Sequence, residues 1–135
     1  MSKIPARNEV DPKYTWNAES VFASPEAWSA EAESIVADIP TVKAFQGKLA
    51  ENAATLANAL EAIENLLVRV ERLYMYAGFS YSVDTADQGA AAMAGKARSV
   101  YGQVIAAVSF VQPEMLGIGE QPLRQWALDD ARLTV

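Results

Sequence analysis

The chain has 135 residues, 51% of them hydrophobic and 21% charged, with a net charge of −6 at pH 7. It contains neither cysteine nor histidine, which excludes disulfides, thiolate chemistry, the commonest general base and the commonest transition-metal ligand. The acidic balance argues against a nucleic-acid partner, because phosphate recognition needs clustered Lys and Arg.

The opening "MSKIPARNEV" has no apolar segment of the kind a secretory signal needs. The longest apolar run, residues 99–111, includes Gln103 and falls short of the roughly 20 residues that a bilayer span requires. A soluble, cytoplasmic chain with no membrane partner is expected. The length suits one domain able to bury a core.

Residues 1–23 carry Pro5 and Pro12 and no helical period, which predicts an extended arm. The arm is aromatic: Tyr14, Trp16 and Phe22 precede Trp28. The first helix start is "SPEAW", with Ser24 as N-cap, Pro25 in the first helical position and Glu26 against the positive helix end. Trp28, Ile35, Ile39 and Val42 keep a rough spacing of three to four, and Pro40 is expected to kink or end this helix. "FQGK" then reads as a break.

The strongest pattern follows. Leu56, Leu60, Ile63, Leu67, Val70, Tyr74, Ala77 and Tyr81 alternate spacings of four and three, which predicts a helix over 52–83, about 48 Å long. Glu61, Glu64, Arg69, Glu71 and Arg72 fall off that seam. "DTADQ" predicts a capping box with Thr85 as N-cap and Gln88 three residues on. A second seam runs through Ala86, Ala90, Met93, Ala97, Val100, Val104, Ala107 and Val111. Two long helices joined by so short a turn fold back as an antiparallel hairpin. Tyr81, Tyr74 and Leu67 should then face Ala90, residues 95–97 and Gly102, large against small. Close approach is the expected reason for Gly95 and Gly102, each costing about 1 kcal/mol in a helix interior relative to Ala. Pro113 is expected to end the second long helix, "PEMLGIGEQP" to form a turn, and "LRQWALDDARLTV" to begin a helix that stops uncapped, as if cut. The fold class is all-α: a long antiparallel helical hairpin with flanking shorter helices, an arm over 1–23 and a helical lobe over 24–135.

No chemistry assembles from the residues. "GAAAMAGKA" has five residues between Gly89 and Gly95 and Ala97 after Lys96, so it lacks the spacing and the hydroxyl of a phosphate loop. Glu61 with Glu64, and Glu26 with Glu33 and Asp38, could share helix faces, but no histidine completes a di-metal pattern, and solvated faces are the better reading. Ser99 and Ser109 have no base to activate them. Tyr74 and Tyr81 are expected in the core, and Tyr76, off the seam, facing a partner. No catalytic, cofactor-binding or metal-ligating residue is assigned.

"RNEVDPKYTWNAESVFASPEAW", "FQGKLAENAATLANAL", "LYMYAGFSYSVDTAD" and "SFVQPEMLGI" resemble, in that order, the amino-terminal region of the oligoendopeptidase F family, which belongs with thimet oligopeptidase among the zinc metallopeptidases. The resemblance runs from Arg7 to about Val135 and implies an α-helical lobe without catalytic residues. It further implies a zinc site, built on an HExxH helix and a downstream glutamate, in a catalytic domain missing here. The lobe would help enclose a channel for short peptides. The chain alone is expected to be inactive and to hold no cofactor. The aromatic arm becomes a strap, with Tyr14, Trp16, Phe22 and Trp28 docking on the hairpin. Its partners would be the missing catalytic domain or a second copy. Either would cover off-seam apolar residues: Leu66, Leu73, Tyr76, Tyr101, Ile105, Val108, and Trp126, Leu128 and Leu133. The alternative function is a stand-alone helical dimerisation module.

Overall fold

The computed structural model describes residues 5–134. Five α-helices occur among them: α1 (Pro25–Lys43), α2 (Ala53–Val83), α3 (Gln88–Val108), α4 (Val111–Ile118) and α5 (Glu120–Asp129). No strand occurs among the described residues, and the fold is all-α. α2 and α3 form the antiparallel hairpin, and α1 lies against both.

The helix starts follow from side-chain capping. Ser24 Oγ accepts the Ala27 N–H at 3.1 Å, and Pro25 occupies the first helical position, where no N–H is needed. Asn52 Oδ1 accepts the Thr55 N–H at 2.9 Å and opens α2. α1 continues through Pro40 to Lys43, beyond the expected stop. Pro40 sits in the last turn on an exposed stretch, where losing one backbone bond is tolerated. Gly47 supplies the positive φ of 81° in the α1–α2 connection. Glu114 of α4 clamps that connection from a distance, its carboxylate accepting the N–H of Gly47 at 2.6 Å and of Leu49 at 3.4 Å.

The hairpin turn differs in detail from the expected capping box. Asp87, not Thr85, is the N-cap of α3, and its Oδ1 accepts the N–H groups of Gly89 at 2.8 Å and Ala90 at 3.1 Å. Asp84 Oδ1 accepts the Ala86 N–H at 3.1 Å, so Thr85 and Ala86 are spent in the turn itself. Pro113 does not end α3, which stops at Val108; it lies near the start of α4, where a missing N–H costs nothing. The expected turn region is therefore mostly helix, broken only at Gly119, whose φ of 85° separates α4 from α5. α5 ends at Asp129 and gives way to a 3-10 turn at Ala131–Leu133.

The second seam is buried as expected at Ala90, Ala97, Val100, Val104 and Ala107, while Ala86 is exposed. The first seam is only half right. Leu56, Ile63, Val70 and Ala77 are buried, but so are Ala59, Leu66, Leu73 and Tyr76. The physical reason is that α2 is covered on two sides, by α1 and by α3, so its buried stripe is wider than one heptad seam. Leu66, Leu73 and Tyr76 accordingly belong to the core and are not bare surface, and Tyr76 faces the arm rather than an external partner. Tyr74, expected inside, is 38% exposed. It meets the Tyr101 ring at a centroid distance of 5.1 Å, so at this level the hairpin sets large against large. Gly95 and Gly102 are exposed, and a Cβ added at either would meet nothing within 4 Å. Close approach does not explain them.

Candidate functional site

The arm is a strap, although three single 3-10 turns, Arg7–Glu9, Pro12–Tyr14 and Ala18–Ser20, interrupt it. Asp11 and Asn17 start two of these turns by accepting the N–H groups of Lys13 and Ser20. Trp16 stands edge-on to Tyr76 at 5.6 Å and to Phe79 at 5.8 Å, and Phe22 to Tyr76 at 5.2 Å. Arginines sit over both arm rings: Arg7 over Trp16 at 5.4 Å and Arg72 over Phe22 at 4.9 Å. Arg7 also donates to the Trp16 carbonyl at 2.8 Å, and Arg72 to that of Val21. Trp28, 3% exposed, donates its Nε1–H to the Leu73 carbonyl at 3.0 Å. Tyr14 takes no part: it is 75% exposed and stacks only on Lys13.

Between the arm and the hairpin turn lies a solvent-open groove of about 1070 Å³, walled by Phe22, Tyr76 and Met93 and rimmed by Arg7, Asp84 and Asp87. Several of its polar groups are already occupied. Asp87 caps α3, Ser80 donates to the Tyr76 carbonyl at 2.9 Å, and Arg7 is held on Trp16.

The sequence-level candidates are scattered through structural work. Gly89–Lys96 is continuous helix within α3, and Lys96 Nζ reaches α1, 3.0 Å from Ser29 Oγ and 3.9 Å from Glu33, with the Trp28 ring 5.9 Å away. Asp38 is joined not to Glu26 but to Arg69, which spans α1 and α2 by contacting Glu31 at 2.7 Å and Asp38 at 2.5 Å. Those two carboxylates hold the Arg69 guanidinium well above its ordinary pKa, Glu31 chiefly. Glu61 pairs with Arg132 at 3.1 Å, while Glu64 stands exposed. Ser109 donates to the Ala106 carbonyl at 2.8 Å, and Ser99 accepts from Gln103. Among the described residues no group of three or more His, Cys, Asp or Glu could hold a metal ion. With Glu31 and Asp38 neutralised by Arg69, and no nitrogen or sulfur ligand in the sequence, the residues do not fit zinc. Sequence reasoning missed Arg69 and Glu114, because their partners lie more than thirty residues away and no local pattern marks them.

No helix among the described residues is long and apolar enough to cross a membrane. Fold and site together define the class: an all-α helical unit, strapped by an aromatic arm, in which Arg69, Lys96 and Arg132 tie separate elements together.

The comparisons carry the assignment further. The chain is 34% identical over 98% of its length to oligopeptidase PepF of Bacillus subtilis, and 28% identical over 91% to group B oligopeptidase PepB of Streptococcus agalactiae. Its fold matches oligoendopeptidase-F from Enterococcus faecium with a TM-score of 0.77, covering 82% of this chain and 22% of that one at 23% identity. A solved chain from Chlamydophila abortus matches with a TM-score of 0.83, covering 97% and 22% at 22% identity. No family model matches. The chain is thus related along nearly its whole length to the oligoendopeptidase F family. It spans about a fifth of the length of the curated relatives it matches.

Proposed function

We infer that the chain serves as the non-catalytic, amino-terminal helical lobe of an oligoendopeptidase F-like zinc peptidase acting on short peptides, and that it helps enclose the substrate channel. One observation carries this reading: near-complete homology of the chain to only a fifth of PepF. Catalysis, zinc and peptide recognition would then reside in the other four-fifths of a relative-sized protein.

The test is a replacement. The matching fifth of Bacillus subtilis PepF is exchanged for this chain, and hydrolysis of a fluorogenic short peptide is measured. The expected result is a folded chimera with kcat/KM within about tenfold of the parent. A chimera that fails to fold or to cleave overturns the reading.

A further inference from the structure

We propose that the arm is a releasable strap: it undocks from the hairpin as a unit, hinging just ahead of Ser24, while the helices stay folded. The two tryptophans on either side of that hinge are held in opposite ways. Trp28 donates its indole N–H to the Leu73 carbonyl at 3.0 Å. The Trp16 indole nitrogen is buried as well, yet it has no hydrogen-bond partner among the described residues. A donor buried without an acceptor loses its hydration and gains nothing in exchange, so release of the arm, which returns water to it, recovers that loss. Docking is opposed at the arm's largest ring.

Little else ties the arm down. Among the described residues, one hydrogen bond crosses from the helices to residues 5–23, that from Arg72 to the Val21 carbonyl. The ion pair of the arm, Lys13 with Asp11, is internal, and so are its backbone bonds, such as Thr15 to Pro12 and Phe22 to Ala18. The rest of the attachment is apolar: Ala18 and Phe22 are buried, and Trp16 stands against Tyr76 and Phe79. A segment that shares no backbone bonding with its neighbours opens at lower free energy than the whole. Beyond the hinge, α1 needs nothing from the arm. Ser24 Oγ caps it through the Ala27 N–H, and Trp28 fastens it four residues on. Release also changes the groove at the hairpin turn. Arg7, Val10 and Thr15 of the arm contribute one wall of it, and Tyr76, Val83 and Met93 the other. Undocking removes the first wall and uncovers the Tyr76 ring.

The test uses thiol labelling of the full chain, which has no cysteine of its own. Ala18→Cys reports on the arm and Ala32→Cys on the buried face of α1. In low urea the Ala18→Cys thiol should react at least about 100-fold faster than the Ala32→Cys thiol, with a much shallower dependence on urea. Equal rates with equal urea dependence overturn the proposal, because the arm then opens only when the whole chain unfolds. Adding Arg72→Met, which deletes the one crossing hydrogen bond, should speed labelling of Ala18→Cys about tenfold. An unchanged rate overturns it too, since the thiol then reacts without release. Trp16→Asp, in turn, should leave the far-UV circular dichroism of the helices and the protection of the Ala32→Cys thiol intact while the Ala18→Cys thiol reacts freely. Loss of the helical signal with Trp16→Asp makes the arm part of the core and refutes a releasable strap.

Discussion

Trp28 is the buried point at which α1 is fastened to the hairpin, beside the surface ties of Arg69 and Lys96, and removing its indole in two stages separates packing from hydrogen bonding. It is 3% exposed, donates to the Leu73 carbonyl at 3.0 Å and lies under Lys96. Trp28→Phe keeps most of the apolar surface but deletes the donor and part of the ring. A neutral hydrogen bond contributes about 0.5–1.5 kcal/mol net. The Leu73 carbonyl lies inside α2 and keeps its helical bond, so no buried acceptor is orphaned. The missing ring atoms leave a small cavity, adding about 1 kcal/mol. The expected loss for Trp28→Phe is therefore about 1.5–2.5 kcal/mol, and for Trp28→Ala about 3–5 kcal/mol. Urea denaturation followed by far-UV circular dichroism reads both as shifts in midpoint at constant slope. A Trp28→Phe midpoint indistinguishable from the parent, or Trp28→Ala costing no more than Trp28→Phe, would refute the docking of α1 described above.

Ala97 is fully buried where α3 meets the core, so Ala97→Leu should cost about 1–3 kcal/mol by overpacking, whereas Glu64→Leu on the exposed face should stay within about 0.5 kcal/mol; midpoints ranked the other way would place α3 in the wrong phase. Gly102→Ala should stabilise by about 0.5–1 kcal/mol, since the new methyl meets nothing and the helix interior gains propensity; a lower midpoint would reveal a close neighbour after all. The carboxyls of Glu26 and Asp130 are held below the usual carboxylate range. For Glu26 the cause is chiefly its own backbone N–H and then Ser24; for Asp130 it is the Arg132 side chain and then its N–H. Lowered folded values stabilise above the unfolded carboxylate pKa, and that contribution disappears as pH falls through the folded one. Melting temperature should therefore fall less steeply between about pH 6 and pH 3 in Glu26→Gln and Asp130→Asn than in the parent; an unchanged acid limb would contradict both contacts.

Legibility from sequence tracked the range of each interaction. The caps at Ser24 and Asn52 involve partners three residues away, and the Ser24 start could be read directly. The α3 seam was legible because Ala90, Ala97, Val100, Val104 and Ala107 keep helical period. The α2 face was not, because the arm and the carboxy-terminal elements cover α2 in addition to α1 and α3, and the wider stripe brings Leu66, Leu73 and Tyr76 inside while Tyr74 turns out. The α3 cap slipped from Thr85 to Asp87 because three candidate capping side chains lie within four residues, and only the geometry of the turn chooses among them. At the candidate site, the arm's aromatic content was legible and its role as a strap followed from the family resemblance, although Tyr14 stays in solvent. The cross-helix ties of Arg69 and Glu114 could not, because nothing local to either residue names its partner.

The measurement closest to the central claim sets three samples side by side against a fluorogenic short peptide and against a folded protein substrate: this chain alone, Bacillus subtilis PepF, and PepF carrying this chain in place of its matching fifth. A non-catalytic enclosing lobe predicts no hydrolysis by the chain alone, and cleavage of the short peptide but not the folded protein by the other two. Chelator-sensitive cleavage by the purified chain alone, or a chimera that digests the folded protein as readily as the peptide, would contradict it.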